Sequence, residues 1–182
     1  MITGIFGLPR SGKTTYLAKL CRKSLKKGIP VYSNFALKGA FMLDFETLGK
    51  LDYHDCVILI DEISLLCDSR DWQKFGSDLV YFFTHHAHYK IDIYYASQWF
   101  TDCDVKIRRM TEKFLYVDSF VFGLSTVATI NRSIATNEAG NITDFYSVGH
   151  RVPFVRCRYY KMFDSFTRKS LPPVEPKLWD VV

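Results

Sequence analysis

The amino-acid sequence predicts an α/β fold, with a parallel sheet core, helices on both faces and a β-rich C-terminal appendage. In the N-terminal part of the chain, apolar runs of strand length alternate with helical patterns, which is typical of βαβ units. The run 57–60 is continuously apolar, as expected for a strand that is covered on both faces. After Lys113, strand-like runs follow one another with no long helix between them.

The predicted elements follow from periodicity and from helix and turn signals. In the first helix, Leu17, Leu20 and Leu25 share one face, and Gly28 and Pro30 end the helix. Prolines near the C-terminus predict an extended tail over 171–182. The predicted strands are 2–6, 31–35, 57–61, 91–96, 114–122, 125–131 and 152–160, and the predicted helices are 13–27 and 71–88.

Length and composition are those of one compact domain. The chain has 182 residues, of which 48% are hydrophobic, and its net charge of +5 permits an acidic partner without requiring one. The five cysteines form no C-x-x-C pair, which favours reduced thiols in a cytosolic protein. The sequence after Met1 does not resemble a signal peptide, and no apolar run reaches the length of a membrane-spanning helix. We therefore expect a soluble protein.

A phosphate-binding loop (P-loop) lies between the first strand and the first helix. Residues 7–14 match G-x-x-x-x-G-K-[ST] in full, and the glycines allow backbone N–H groups to surround phosphates at a helix N-terminus. Lys13 is expected to reach the β- and γ-phosphates, and the Thr14 hydroxyl to hold Mg²⁺. The predicted ATP-binding residues are Gly7, Leu8, Pro9, Arg10, Ser11, Gly12, Lys13, Thr14 and Thr15.

Two acidic residues follow the continuously apolar strand. Asp61, at the strand end, is the expected second partner of Mg²⁺, and Glu62 is expected to deprotonate a water that attacks the γ-phosphate. An apolar run that ends in Asp-Glu is a weak signal by itself. Paired with the P-loop, it favours ATP hydrolysis over binding without turnover.

Two further groups of polar residues complete the predicted site. Gln98 follows the fourth strand, where its amide can span the attacking water and the γ-phosphate. Lys106, Arg108 and Arg109 form a basic cluster, and either arginine is a candidate to stabilise the transferring phosphoryl group of a neighbouring subunit. The alternative for the cluster is a solvated basic face.

These motifs resemble the N-terminal ATPase domain of the zonular occludens toxin family, which is related to the FtsK and HerA class of DNA-pumping ATPases. The resemblance rests on the P-loop, Asp61-Glu62, the helix that ends in histidines, Asp92 and Gln98, with weaker support from Ser33-Asn34 and Tyr159-Tyr160. It implies an extra strand between the P-loop strand and the Asp-Glu strand, which places Gln98 between the two halves of the site.

The resemblance also implies the biology. Family members assemble filamentous phage, so it implies a motor that extrudes phage single-stranded DNA, a homo-oligomeric ring such as a hexamer, and other phage assembly proteins as partners. It implies the host cytoplasm, at the inner face of the membrane, with membrane association only through a partner or through a segment outside residues 1–182. One departure is Ala87, where many relatives have an arginine.

Two other functions share the P-loop. A small-molecule or nucleotide kinase has no use for Glu62, because hydrolysis would waste its ATP. A non-hydrolysing, nucleotide-dependent interaction protein would leave Glu62 and Gln98 without a role.

Within the single predicted domain, we assign about 1–120 to the nucleotide-binding core, 121–170 to the β-rich appendage and 171–182 to the tail.

Overall fold

The structure, a computed structural model, describes residues 1–65, 77–121, 123–136 and 142–163. Its elements are β1 (Ile2–Phe6), α1 (Lys13–Leu25), β2 (Val31–Ser33), β3 (Phe41–Met42), β4 (Val57–Ile60), α2 (Ser77–His85), β5 (Asp92–Ser97), α3 (Val105–Met110), β6 (Lys113–Ser119), β7 (Leu124–Thr136) and β8 (Ile142–Val155). The predicted tail 171–182 and the first part of the predicted helix 71–88 lie outside the described residues.

One sheet of eight strands forms the centre of the fold, in the order β3-β2-β4-β5-β1-β6-β7-β8. The first six strands in this order, β3 to β6, all pair in parallel. The last two, β7 and β8, continue the same sheet in antiparallel pairing. The implied extra strand is confirmed, because β5 lies between β1 and β4. The carboxyl ends of β1, β4 and β5 therefore meet at one edge of the sheet.

Helices cover both faces of the sheet, as predicted. On one face, α1 packs Leu17 and Cys21 against Leu59 of β4 in one buried cluster. On the other face, Phe83 of α2 and Ile107 of α3 pack against a cluster that includes Ile58 and Ile60 of the same strand. Successive residues of β4 point to opposite faces, and both faces are buried, which explains the uninterrupted apolar run.

Several boundaries differ from the sequence prediction. The predicted strand 152–160 is wrong after Val155, because Arg156–Met162 forms a 3-10 helix. This turn directs Tyr159, Met162 and Phe163 onto the α1 cluster, whereas an extended chain would alternate them between two faces. The sequence analysis also missed β3 and α3, since two and six residues are too few to show a period.

No helix in the described ranges is both long and apolar enough to cross a membrane.

Candidate active site at the carboxyl edge of the sheet

The P-loop follows β1 and depends on two glycines. Gly12 has φ 107°, in the left-handed region that favours glycine, and a Cβ atom on Gly7 would lie 2.1 Å from the backbone oxygen of Val117. The buried hydroxyl of Ser125, on β7, donates a 2.6 Å hydrogen bond to the backbone oxygen of Ser11. The antiparallel strand β7 thus helps to hold the P-loop in place.

Lys13 is the first residue of α1 and is only 6% exposed. Its Nζ donates to the backbone oxygens of Gly7 at 2.7 Å and Leu8 at 3.1 Å, so the ammonium group lies inside the curve of the P-loop. Burial lowers the pKa of Lys13, and the nearby carboxylates of Glu62 and Asp61 oppose that shift. The predicted phosphate-binding cation is therefore held within the P-loop.

Thr14 and Asp61, the predicted Mg²⁺ partners, lie in direct contact. The Thr14 hydroxyl donates to Oδ2 of Asp61 at 2.7 Å, and the N–H of Glu62 donates to Oδ1 at 3.2 Å. Burial raises the pKa of Asp61, while the Thr14 hydrogen bond and the Lys13 charge oppose the rise. A hydroxyl and a carboxylate are hard oxygen ligands, so this pair fits Mg²⁺.

Asn34 fixes the backbone at Asp61, a role that the sequence analysis did not assign. Its Oδ1 accepts from the Asp61 N–H at 2.7 Å, and its Nδ2 donates to the Asp61 carbonyl at 2.8 Å. The two bonds join the chain segments beyond the last backbone pair, Ser33 with Leu59, after β2 ends. The next residue, Glu62, has φ 51°, which is uncommon for a non-glycine residue. The Asn34 hydrogen bonds hold the backbone directly before it.

Gln98 lies beside Glu62, as its predicted position between the two halves of the site requires. Nε2 of Gln98 is 3.4 Å from Oε1 of Glu62, and both side chains line one cleft of about 620 Å³. The P-loop residues that line the same cleft are Pro9, Arg10, Gly12, Lys13, Thr14 and Thr15. The two predicted catalytic side chains therefore face the space in front of the P-loop.

Three residues of the cleft were missed by the sequence analysis as site residues. Arg156, Tyr160 and Phe163 also line the cleft, on or directly after the 3-10 helix that follows β8. Tyr160 belongs to a pair that supported the family resemblance, but no local pattern singled out Arg156.

Arg156 is attached to the P-loop by its side chain. Nη1 donates to the backbone oxygen of Arg10 at 3.1 Å, and a Cβ atom on Gly12 would lie 3.0 Å from Cδ of Arg156. Nε is buried and has no hydrogen-bond partner among the described residues. A guanidinium with unused donors therefore borders the phosphate-binding loop of its own chain.

The predicted basic cluster lies elsewhere. Lys106, Arg108 and Arg109 are on α3, and none of them lines the cleft. Arg108 is half-buried, with its guanidinium 4.8 Å from the ring centroid of Phe100, while Arg109 is exposed. The structure therefore does not place these arginines in the cleft of their own chain.

A β1–P-loop–α1 unit, with an acidic pair and a polar residue at the ends of two adjacent parallel strands, defines the fold of a P-loop NTPase. A family model described as zonular occludens toxin (Zot) matches residues 37–169, which is more than half of the chain. The chain belongs to the zonular occludens toxin family. The matched range begins after the P-loop. The P-loop is therefore identified from the sequence motif and the structure, and not from the family match.

Two solved structures show the same fold. The N-terminal domain of zonular occludens toxin from Neisseria meningitidis is 17% identical with a TM-score of 0.56, and the match covers 90% of this chain and 98% of that chain. The genome packaging NTPase B204 from Sulfolobus turreted icosahedral virus 2, in complex with ATP-gammaS, is 14% identical with a TM-score of 0.55, covering 79% and 95%. Among curated proteins, the search found no match.

Proposed function

We propose that this chain is an ATP-hydrolysing motor that moves or extrudes single-stranded phage DNA during filamentous-phage assembly. The proposal includes a homo-oligomeric ring such as a hexamer, phage assembly proteins as partners, and a place in the host cytoplasm at the inner face of the membrane. Family membership supports the biological setting. The observation that carries the chemistry is the Thr14–Asp61 contact of 2.7 Å next to a cleft shared by Glu62 and Gln98.

Each side chain has a separate task in the proposed reaction. Lys13 and the P-loop N–H groups bind the phosphates of ATP, and Thr14 and Asp61 hold Mg²⁺, which supplies positive charge to the phosphates when it is bound. The Glu62 carboxylate accepts a proton from the attacking water, and the Gln98 amide orients that water. The 3.4 Å separation of Gln98 from Glu62 allows both to contact one water molecule.

The kinase alternative and the hydrolase differ in their requirement for an acceptor. A kinase consumes ATP only when an acceptor other than water is present, whereas the proposed motor hydrolyses ATP alone. The decisive experiment measures the ATPase rate with and without single-stranded DNA, together with the oligomeric state. We expect basal hydrolysis, a higher rate with DNA, and an oligomer; ATP consumption that depends on a small-molecule acceptor would contradict the proposal.

Arg156 is expected to contribute to binding of the triphosphate. Arg156→Ala should weaken ATP binding by roughly 10- to 100-fold, because hydrogen bonds to charged groups contribute about 1.5–3 kcal/mol. The measurement is titration with a fluorescent ATP analogue and with the matching ADP analogue. A larger loss for ATP than for ADP would indicate a contact with the terminal phosphate.

Arg158 is the matched control for this prediction. It lies on the same 3-10 helix, is exposed and does not line the cleft. Arg158→Ala should bind ATP like the wild type. Unchanged ATP affinity in Arg156→Ala would contradict the assigned contact, and an equal loss for ATP and ADP would restrict Arg156 to holding the P-loop through the Arg10 carbonyl.

The role of Arg108 or Arg109 in the active site of a neighbouring subunit remains a proposal, motivated by their position outside the cleft of their own chain. A Lys13→Ala protein keeps these arginines, and an Arg108→Ala, Arg109→Ala protein keeps its ATP site. Mixed in one oligomer, the two should partly restore hydrolysis, measured as phosphate release. An inactive mixture in which mixed oligomers form, or normal hydrolysis by the double arginine variant alone, would rule out the trans role.

A further inference from the structure

A second cleft, of about 290 Å³, lies next to the nucleotide cleft and is almost entirely aromatic and apolar. Its walls include Phe6, Leu8, Trp99, Phe100, Tyr116 and Tyr146, from β1, the P-loop, the turn after β5, β6 and β8. Trp99 is 58% exposed and Tyr146 is 45% exposed. A concave apolar surface that carries exposed aromatic side chains is typical of a binding site.

Packed aromatic rings form the floor of the cleft, and its walls are aromatic and partly exposed. The Phe100 ring packs against the rings of Phe6, Phe114 and Tyr146, with centroid distances of 5.3, 5.2 and 5.4 Å. The Ser97 hydroxyl donates to the backbone oxygen of Trp99 at 3.2 Å, which holds the turn that carries this side chain. The exposed Trp99 side chain offers a surface on which a planar ring could stack.

Positive charge lies behind the same wall. Helix α3 begins shortly after Phe100, and the Arg108 guanidinium rests on the Phe100 ring at 4.8 Å, with its Nε buried and without a partner among the described residues. Lys106 and Arg109 on the same helix are exposed. Aromatic faces combined with nearby cations are the means by which proteins bind single-stranded nucleic acid, with bases stacked and phosphates neutralised.

We propose that this aromatic cleft binds an unpaired base of single-stranded DNA, with the phosphate backbone held by Lys106 of α3. The inference rests on the proposed DNA-moving motor and names where that motor contacts its DNA. It also supplies a coupling route, because Gln98 lines both clefts and lies directly before Trp99 in the turn. A base that packs against Trp99 therefore acts on the segment that places the Gln98 amide beside Glu62.

The first test is DNA affinity, measured by fluorescence anisotropy with labelled oligo(dT) on the full chain. Trp99→Ala and Tyr146→Ala should each weaken binding by roughly tenfold, within the range for loss of one stacked base. Phe120→Ala is the matched control, since Phe120 is 73% exposed and does not line the cleft. Wild-type affinity in both cleft variants would overturn the proposal, as would tighter binding of oligo(U) than of oligo(dT).

The second test uses stacking and salt. In a Trp72→Phe, Trp179→Phe protein, Trp99 is the one tryptophan left. Oligo(dT) should quench its fluorescence, and no quenching at saturating DNA would contradict stacking. Lys106→Ala should reduce the slope of log affinity against log salt by about 1, the effect of losing one phosphate contact. Lys23→Ala, an exposed lysine on α1 across the sheet, should leave that slope unchanged.

The outcomes also separate this site from the proposed enzyme and from a subunit contact. Tyr146→Ala should keep basal ATP hydrolysis and lose stimulation by DNA. A wild-type protein that hydrolyses ATP but binds no single-stranded DNA would overturn the cleft assignment while leaving the ATPase in place. If the cleft variants dissociate the oligomer and leave DNA affinity unchanged, the cleft is an interface between copies of the chain and the proposal is wrong.

Discussion

Glu62→Gln should bind ATP and Mg²⁺ normally and hydrolyse ATP roughly 10²- to 10⁴-fold more slowly, the usual contribution of a positioned general base. The amide keeps the size of the side chain and its distance to Gln98 but cannot accept the proton of the attacking water. The Thr14–Asp61 pair and the position of Lys13 do not depend on the Glu62 carboxylate for a hydrogen bond. Binding and turnover should therefore separate.

Single-turnover phosphate release, together with ATP-analogue titration, measures the two properties in the same preparation. Glu46→Gln is the matched control, because Glu46 is exposed in the 3-10 turn Phe45–Thr47, away from the cleft. It should hydrolyse ATP at the wild-type rate. A Glu62→Gln protein with near-normal turnover would assign the proton acceptor to another group, and one that no longer binds ATP would make Glu62 a structural residue.

Lys13→Ala should abolish ATP binding and leave the fold intact. The Lys13 ammonium is the buried cation within the P-loop, and its removal leaves the phosphates without their direct charge partner. Alanine is the best helix former, and position 13 is the first residue of α1, so the helix should still begin there. Titration with a fluorescent ATP analogue measures the loss, and circular dichroism checks the helix content.

Lys23→Ala is the control for a lysine lost from the same helix, because Lys23 is exposed and lies near its C-terminal end. It should bind the analogue like the wild type. Undiminished affinity in Lys13→Ala would mean that the nucleotide site is not the one assigned here. Loss of helix content in Lys13→Ala would instead show that the P-loop contacts to Gly7 and Leu8 are needed for folding.

The local parts of the site were predictable from the sequence. A P-loop is a continuous segment in which the residues that bind phosphate are covalent neighbours, so spacing alone identifies Lys13 and Thr14. Asp61 and Glu62 were identified by the buried strand before them, since an uninterrupted apolar run indicates burial on both faces. The position of Gln98 beside Glu62 was implied by the family resemblance and follows physically from parallel pairing, which brings strand ends to one edge.

Other parts of the site depend on contacts between residues far apart in the chain. Asn34 is a polar residue after a short strand, and only the pairing of β2 with β4 shows that its amide holds the backbone of Asp61. Arg156 reaches the P-loop because β7 and β8 continue the sheet and the chain then turns back across α1. The second cleft combines side chains from β1, β6 and β8 with the turn after β5.

By itself, therefore, the sequence determined the α/β class, the P-loop and the acidic pair, since each is encoded in residues that are adjacent or regularly spaced. The tertiary structure alone decided that Arg156 faces the nucleotide cleft, while Arg108 and Arg109 lie outside it. All three arginines lie in short segments, in which no hydrophobic periodicity shows which side chain faces the site. Their roles depend on which strands are neighbours in the sheet and on where the chain crosses its edge, and local residue patterns do not specify these long-range pairings.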